Sequence, residues 1–242
     1  EIAMLADNFN DMTVEIGRLV ERIKEEQENI RIMESKLLQA QINPHFLYNT
    51  LDTIVWLAEA GRDEEVVKMT SYLSEFFRTT LSKGKDYITL EEEKRHVESY
   101  LQIQQFRYQD IMDYRIEMDE EILDYIVPKL TLQPLVENAL YHGIKKKRGG
   151  GTILIRGKME GNKILLKVID NGKGMTEREL AQLRRYIAGC EDGGKQSFGL
   201  GNVNQRIHRY YGEEYGIFFE SEENKGTEAV VIIPAKKSEQ KS

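Results

Sequence analysis

Apolar residues recur at alternating intervals of three and four over the first 42 residues, and this pattern limits the possible folds more than any other feature. The two lines of the pattern are Ile2, Phe9, Ile16, Ile23, Ile30, Leu37 and Leu5, Met12, Leu19, Glu26, Met33, Ala40. Only Glu26 interrupts them. So narrow a stripe, with a period of about 3.5 residues, predicts a parallel dimeric coiled coil, roughly 60 Å long. The alternative is one long helix lying on its own domain.

The same register continues along the chain and places a histidine beside the buried line. It assigns to the seam Pro44, Leu47, Leu51, Ile54 and Ala58. His45 then falls on a helix face open to solvent. Because proline lacks a backbone N–H, we expect Pro44 to bend the helix immediately before His45. A turn at residues 61–63 and an amphipathic helix over residues 66–80 follow, so two helices per chain, doubled by dimerisation, predict a four-helix bundle.

Helices and strands alternate in the second half of the chain. Residues 82–86 predict a break, after which Thr89 and Glu92 form a capping-box pattern that opens a helix to about residue 109. Further helices are predicted at about 128–143, 176–188 and 200–211, and strands at 114–118, 152–159, 163–169, 215–221 and 228–233. This mixture predicts a two-layer α/β domain, with residues 189–198 as a mobile lid and residues 236–242 as a frayed tail.

Charge and hydropathy exclude several classes of protein. The net charge of −7 argues against unspecific nucleic-acid binding, and no run approaches the roughly 18 apolar residues of a membrane helix. Cys190 is the only cysteine, which excludes an internal disulfide. His96 and His208 are interpreted as residues of polar helix faces, and Trp56 as a packing residue. Because the chain starts at Glu1, we expect a fragment whose upstream part is missing.

Three short motifs carry groups suited to a nucleotide. Asp170-Asn171-Gly172-Lys173-Gly174 follows an apolar strand, where glycines let the backbone approach a flat ligand and a carboxylate can accept the amino proton of adenine. Gly199-Leu200-Gly201 opens a helix, whose unpaired N–H groups favour phosphate. Asn138 offers an amide oxygen to Mg²⁺. Each motif alone is as typical of a turn or a buried amide, but the ordered set predicts an ATP site.

The chain resembles the sensor histidine kinases of the LytS/YesM type, through Pro44-His45-Phe46-Leu47-Tyr48-Asn49 and Pro134-Leu135-Val136-Glu137-Asn138-Ala139. The resemblance covers about residues 36–235. A weaker resemblance of residues 1–12 to the closing helix of a HAMP relay implies an upstream membrane anchor, and hence the cytoplasmic portion of a membrane-anchored bacterial sensor. The implied domains are a HAMP-end signalling coiled coil (1–35), dimerisation and histidine phosphotransfer helices (36–88), a linking helix with a GHKL-type ATP-binding domain (89–235) and a tail (236–242).

The resemblance also implies roles for individual residues. His45 would accept the γ-phosphoryl group, with Glu137 and Asn138 as catalytic residues and Asn138 as the Mg²⁺ ligand. The residues implied to contact ATP are Asn138, His142, Asp170, Gly172, Gly174, Gly199, Leu200, Gly201 and Thr227. Among them Asp170 would bind the adenine amino group and Thr227 would support the adenine end. The wider kinase pattern often has an acidic residue after the acceptor histidine and a lysine further on, where this chain has Phe46 and Tyr141.

These features predict an α+β homodimer that phosphorylates His45 with ATP and Mg²⁺. The phosphoryl group would then pass to an aspartate in the receiver domain of a separate response regulator, since no receiver domain is recognised in the sequence. Two alternatives remain open: a GHKL-type ATPase driven by dimer closure, and a non-catalytic dimeric signal-relay module. Neither alternative requires a histidine on an exposed helix face.

Overall fold

The computed structural model describes Arg18 and residues 44–80, 86–189 and 198–237. The predicted coiled coil lies outside these residues except for Arg18, as do Cys190, most of the predicted break and lid, and most of the tail. The chain divides into two compact units, Glu1–Asn49 and Thr50–Ser242. The boundary falls within the first helix described below.

Two helices follow one another at the start of the described chain. Helix α1 spans Pro44–Glu59 and helix α2 spans Asp63–Thr80. Gly61 separates them with a φ of +69°, a left-handed conformation that glycine adopts without strain. The N–H of Gly61 donates to the carbonyl of Ala58, and the N–H of Arg62 donates to that of Leu57 at 2.9 Å. This is the hydrogen-bond pattern that ends many helices at a glycine, so the predicted turn is confirmed.

The single chain does not bury the seam predicted along α1, which stays a prediction for the dimer. The buried residues of α1 are Phe46, Thr50 and Leu57. By contrast Leu51 is 43% exposed, and Trp56, interpreted as a packing residue, is 57% exposed. Heptad spacing predicts an apolar stripe that packs against a helix of a second chain. A single chain does not contain that partner helix, so the stripe over residues 50–59 is left largely exposed.

Helix α2 packs along helix α3, which spans Leu90–Arg107. The capping box predicted for α3 is confirmed: Thr89 Oγ1 accepts the N–H of Glu92 at 3.2 Å, and Glu92 Oε2 accepts the N–H of Thr89 at 2.9 Å. The interpretation of His96 as a polar-face residue is wrong, because its side chain is fully buried. The ring of Phe76 on α2 stacks on the His96 ring at a centroid distance of 4.6 Å.

Most strands of the chain form one mixed sheet. The strands are β1 (Tyr87–Thr89), β2 (Met112–Met118), β3 (Ile126–Pro128), β4 (Gly151–Glu160), β5 (Lys163–Asp170), β6 (Gly216–Glu222) and β7 (Gly226–Pro234). Five of them form a sheet in the order β2-β4-β5-β7-β6, in which β2 runs parallel to β4 and the other pairs are antiparallel. The short strands β1 and β3 pair with each other in antiparallel fashion.

Residues along β5 alternate between buried and half-buried, which is typical of a sheet covered on one face. The buried face includes Ile155, Leu166, Val231 and Phe219. The remaining helices of this region are α4 (Gln133–Asn138), α5 (Glu177–Ile187) and α6 (Phe198–Tyr211), with a π-helical turn at Ala139–Gly143. Helices α5 and α6 pack against β6, and the π-helical turn packs against β5 and β7. These contacts give the α+β fold two layers, as predicted.

The helix predicted at about residues 128–143 is confirmed only from Gln133 onward, and its first five residues are wrong. Strand β3 extends to Pro128 because it pairs with β1, a contact between distant parts of the sequence. Leu130 then adopts a φ of 59°, and the carboxylate of Glu93 accepts the N–H groups of Leu130 and Leu132. These bonds delay the helix until Gln133. In the part of the chain that the structure describes, no helix combines the length and hydropathy needed to cross a bilayer.

Candidate functional site

The end of β5 carries a buried carboxylate, Asp170, which is only 5% exposed. It lies on the buried face of the sheet, in register with Ile153 on β4 and Thr227 on β7. Its Oδ1 accepts the N–H of Gly172 at 2.8 Å. Burial raises the pKa of Asp170 to about 6, although the N–H groups of Gly172 and Thr227 lower it. Asp170 is therefore mostly ionised at neutral pH and can accept a hydrogen bond from a ligand.

Glycines surround Asp170 at positions where side chains would not fit. A Cβ on Gly143 would lie 2.5 Å from Asp170 Oδ1. A Cβ on Gly172 would overlap the backbone of Gly143, and one on Gly226 would overlap the Asp170 carbonyl. The N–H of Lys173 also donates to the Gly143 carbonyl at 3.1 Å. The end of β5 thus packs directly on the backbone of the π-helical turn with no Cβ between them, and glycine backbone of this kind lets a flat ring approach closely.

Strand β7 supports the same end of the sheet. Gly174 has a φ of +67°, and a Cβ there would overlap the carbonyl of Glu222. The oxygens Ser221 Oγ and Thr227 Oγ1 are 2.9 Å apart, and the Ser221 hydroxyl donates to the Gly226 carbonyl. The Thr227 hydroxyl therefore donates to Ser221. This bond fixes the Thr227 side chain beside Asp170.

The end of α4 carries a carboxylate and an amide in succession. Glu137 and Asn138 are its last two residues, and both are half-buried. Burial raises the pKa of Glu137, whereas a hydrogen bond from Gln133 Nε2 to Glu137 Oε1, of 2.8 Å, lowers it. The helix then widens into the π-helical turn, a local change that is frequent at functional sites.

The π-helical turn presents a neutral imidazole beside a cation. Burial lowers the pKa of His142, and the charge of Lys146 lowers it further. The two side chains are close, with Lys146 Nζ 3.4 Å from His142 Nδ1. At neutral pH His142 is therefore uncharged and Lys146 charged, a pair with hydrogen-bond donors suited to an anion.

The first turn of α6 contains the second glycine motif. A Cβ on Gly199 would lie 3.5 Å from Pro134 Cβ, so this helix start lies beside α4. Leu200 is buried in the core, and a Cβ on Gly201 would lie 3.1 Å from the Tyr186 hydroxyl on α5. The first N–H groups of a helix have no partner within the helix, and they favour anions.

The structure brings together part of the set of residues expected from the sequence. Those that meet where β5 and β7 adjoin are Asp170, Gly172, Gly174 and Thr227. The π-helical turn with His142 reaches them through Gly143. His45 lies in the other compact unit, on an exposed part of α1.

The sequence analysis missed three residues of this region. Gln133 holds the Glu137 carboxylate, and its spacing of four from Glu137 in a helix is a signal that was available. Ser221 holds Thr227, but only the register of β6 with β7 reveals that pairing. Lys147 Nζ donates to the Asn171 carbonyl at 2.5 Å, and its charge lowers the pKa of Asp170.

The polar groups at the end of α4 fit a magnesium ion that arrives with phosphates. Within the described ranges, no group of three or more His, Cys, Asp or Glu residues could hold a metal by itself. Mg²⁺ usually keeps several waters and is bound through one or two protein oxygens together with substrate phosphates. The adjacent amide of Asn138 and carboxylate of Glu137 meet that demand.

Two family models match the chain. The model described as "Histidine kinase" matches residues 33–112, which include His45. The model described as "Histidine kinase-, DNA gyrase B-, and HSP90-like ATPase" matches residues 124–237, which include the five-stranded sheet except β2. Together the two models cover both the exposed histidine and the candidate site.

Curated sensor proteins are similar over most of this chain. It is 38% identical to the sensor histidine kinase YesM of Bacillus subtilis, over 98% of this chain and 39% of the relative. It is 35% identical to the sensor protein LytS of Bacillus anthracis, over 86% of this chain and 35% of the relative. It is also 35% identical to the sensor histidine kinase BtsS of Escherichia coli, over 83% of this chain and 33% of the relative.

The chain therefore spans little more than a third of the length of these relatives. The sheet and its glycine-lined carboxylate belong to the class of histidine-kinase-like ATPase domains. With the histidine-bearing segment included, the chain belongs to the sensor histidine kinase family, of the LytS/YesM type.

Proposed function

We propose that this chain is the kinase region of a two-component sensor, which transfers the γ-phosphoryl group of ATP to His45. The phosphoryl group then passes to an aspartate in the receiver domain of a separate response regulator. The observation that supports this proposal most is the buried Asp170 carboxylate among backbone-only contacts, within the segment that matches the ATPase model.

Asp170 accepts the amino group of adenine in this proposal. Its burial and its bond to the N–H of Gly172 fix the carboxylate before the ligand arrives. The ring then lies against the glycine backbone at Gly172 and Gly174, with Thr227 supporting the adenine end. An ionised acceptor in a fixed position favours adenine over a base with a carbonyl at the same place.

The phosphates lie toward α4 and α6 in this proposal. Asn138 holds Mg²⁺ with Glu137 beside it, and His142 lies near the phosphates. The first turn of α6, from Gly199 through Leu200 to Gly201, offers its N–H groups. Bound Mg²⁺ would neutralise phosphate charge during transfer.

His45 is the proposed nucleophile. A ring nitrogen of its exposed imidazole attacks the γ-phosphorus, the bond to the leaving ADP oxygen breaks, and the imidazole proton is released. Positioning of the two groups is the main contribution expected from the protein, as in other phosphoryl transfers.

We propose that a second copy of the chain covers the apolar face of α1. Leu51, 43% exposed, and Ala58 continue the heptad spacing of the upstream sequence, and Val55, 55% exposed, lies between them on the same side of the helix. A homodimer with a four-helix bundle would bury this line. Because the relatives are sensors and this chain spans little more than a third of them, we also propose an upstream sensing part anchored to the membrane.

Incubation with γ-labelled ATP and Mg²⁺ tests the proposal. We expect a protein-bound label that is lost in acid and stable in base, as phosphohistidine is. The label should disappear in His45→Gln and in Asn138→Ala. His208→Gln, a matched change outside the proposed site, should retain it.

The same experiment separates the two alternatives. Steady release of free phosphate from wild type without a protein-bound label would favour an ATPase driven by dimer closure. Absence of both ATP binding and label would favour a non-catalytic relay module. A label that persists in His45→Gln would place the acceptor elsewhere and contradict the proposal.

A further inference from the structure

Helix α3 runs beside the segment that carries Glu137, and polar pairs join the two at a constant offset of 37 residues. The hydrogen-bonded pairs at this offset are Glu93–Leu130, His96–Gln133, Gln104–Tyr141 and Tyr108–Lys145. A constant offset means that the two segments run in the same direction. One helix therefore contacts the candidate catalytic segment at successive turns.

The His96–Gln133 pair is hydrogen-bonded in turn to the carboxylate of Glu137. His96 Nε2 is 2.7 Å from Gln133 Oε1, and Gln133 Nε2 donates to Glu137 Oε1 at 2.8 Å. Because the Gln133 oxygen can only accept, the proton of this contact belongs to His96 Nε2. His96 Nδ1 has no hydrogen-bond partner among the described residues, so Nε2 is the ring nitrogen that takes part in this contact. The result is a directed chain from His96 through Gln133 to Glu137.

Rings on neighbouring helices limit the movement of the hydrogen-bond chain from His96 to Glu137. His96 is fully buried, and Phe76 of α2 stacks on its ring at 4.6 Å with an interplanar angle of 19°. One helical turn further along α3, Tyr100 is buried; burial raises the pKa of its hydroxyl, and the charge of Glu137 raises it further. Glu137 is therefore bounded by Gln133 on its own helix and by α3.

We propose that His96 and Gln133 are positioning residues, which hold the Glu137 carboxylate in one orientation for phosphoryl transfer. Phe76, which stacks on His96, links α2 to this hydrogen-bond chain. This inference rests on the proposed kinase function. His96 and Gln133 act on Glu137 alone in this scheme and touch neither the nucleotide nor His45. The bond from His96 holds the Gln133 amide in place, so that the amide can keep its bond to the Glu137 carboxylate.

Substitutions at His96 test whether its donor matters. His96→Met fills a similar volume without an N–H, and we expect it to lower kcat for His45 phosphorylation by about tenfold while KM for ATP changes less than about twofold. His96→Gln restores a donor near the position of Nε2 and should recover most of the rate. Equal effects on kcat and KM, or no recovery in His96→Gln, would mean a structural role only and would overturn the proposal.

A double-mutant cycle tests whether His96 acts through Glu137. In the Glu137→Gln background, His96→Met should lower the rate no further, because the group that it positions is already altered. Independent, additive losses would show that His96 acts by another route. Tyr108→Phe removes the pair at the far end of α3 and provides the control, with an expected kcat close to that of wild type.

An NMR measurement tests the hydrogen-bond chain from His96 to Glu137 without relying on catalysis. In the intact protein labelled with ¹³C at glutamate side-chain carboxyl groups, His96→Met should shift the Glu137 resonance through Gln133, and Tyr108→Phe should not. If wild type forms no phosphohistidine, the kinase proposal fails. The Glu137 resonance still tests whether His96 and Gln133 position the Glu137 carboxylate. An unmoved resonance in His96→Met overturns the inference in either case.

Discussion

At the scale of the residue, Asp170 combines a stability cost with the binding role proposed for it. Its pKa of about 6 in the folded protein exceeds the ordinary value of 3.8. The folded protein therefore binds this proton more tightly than the unfolded chain does. Below about pH 4 both states are protonated and the carboxyl group costs nothing. Between about pH 4 and pH 6 the unfolded chain loses this proton while the folded protein keeps it, so stability falls, and above pH 6 the cost levels off at about 3 kcal/mol.

Asp170→Asn should therefore separate stability from ligand binding. We expect its melting temperature relative to wild type to increase between pH 4 and pH 7, because the variant carries no charge to bury. Affinity for ATP should fall more than about tenfold at neutral pH, since the amide oxygen would accept the Gly172 N–H and leave an NH₂ group facing the adenine. Thermal scans and calorimetry measure the two effects. Unchanged ATP affinity would remove Asp170 from the adenine site.

A glycine comparison tests the close backbone contact at the same site. Gly172→Ala places a Cβ against the Gly143 backbone, so we expect loss of ATP binding and a stability loss of more than about 2 kcal/mol in urea unfolding. Gly161→Ala, in the β4–β5 turn, meets nothing within 4 Å and adopts a φ of +60°. It should cost about 1 kcal/mol through strain alone and bind ATP normally. Similar binding in both variants would contradict a ring site at Gly172.

At the scale of the element, local signals were sufficient where the local chain decides the structure. The capping box at Thr89, the β4–β5 hairpin and α5 follow from short-range patterns, and all three are confirmed. The helix expected over 128–143 begins later, at Gln133, because β3 pairs with a strand that lies about 40 residues earlier. The burial of His96 could not be predicted, since its partner Gln133 is 37 residues away.

The two capping boxes provide a prediction at this scale. Thr176 on α5 repeats the geometry of Thr89, accepting the Glu179 N–H at 3.3 Å and donating its own N–H to the Glu179 carboxylate at 2.8 Å. Thr89→Ala and Thr176→Ala should each lower the free energy of unfolding by about 1 kcal/mol, and serine at either position should restore most of it. Urea titrations measure these values. A loss well below this at Thr89 would mean that tertiary contacts, not the cap, determine where α3 begins.

The same reasoning explains which site residues were predictable. Motifs made of glycine and a neighbouring carboxylate identify the end of β5, because backbone conformation and close approach depend on consecutive residues. The supporting hydroxyl of Ser221 was not predictable, because the register of β6 with β7 brings it to Thr227.

At the scale of the whole molecule, the exposed line on α1 is the feature that a single chain leaves unexplained. Val55→Asp would introduce a charge at the centre of the proposed dimer contact, and burying it there is strongly unfavourable. We expect sedimentation analysis to show a dimer for wild type and a large shift toward monomer for Val55→Asp. Phe218→Asp, at a residue 51% exposed on β6, should leave the dimer intact. A monomeric wild type, or equal effects of the two changes, would contradict the dimer.

The most direct measurement is mass spectrometry of the intact chain after exposure to ATP and Mg²⁺, followed by peptide mapping at neutral or alkaline pH. The account predicts one added phosphoryl group, on the peptide that contains His45, together with ADP in equal amount. A phosphoryl group on another residue, or consumption of ATP with an unmodified chain, would contradict it.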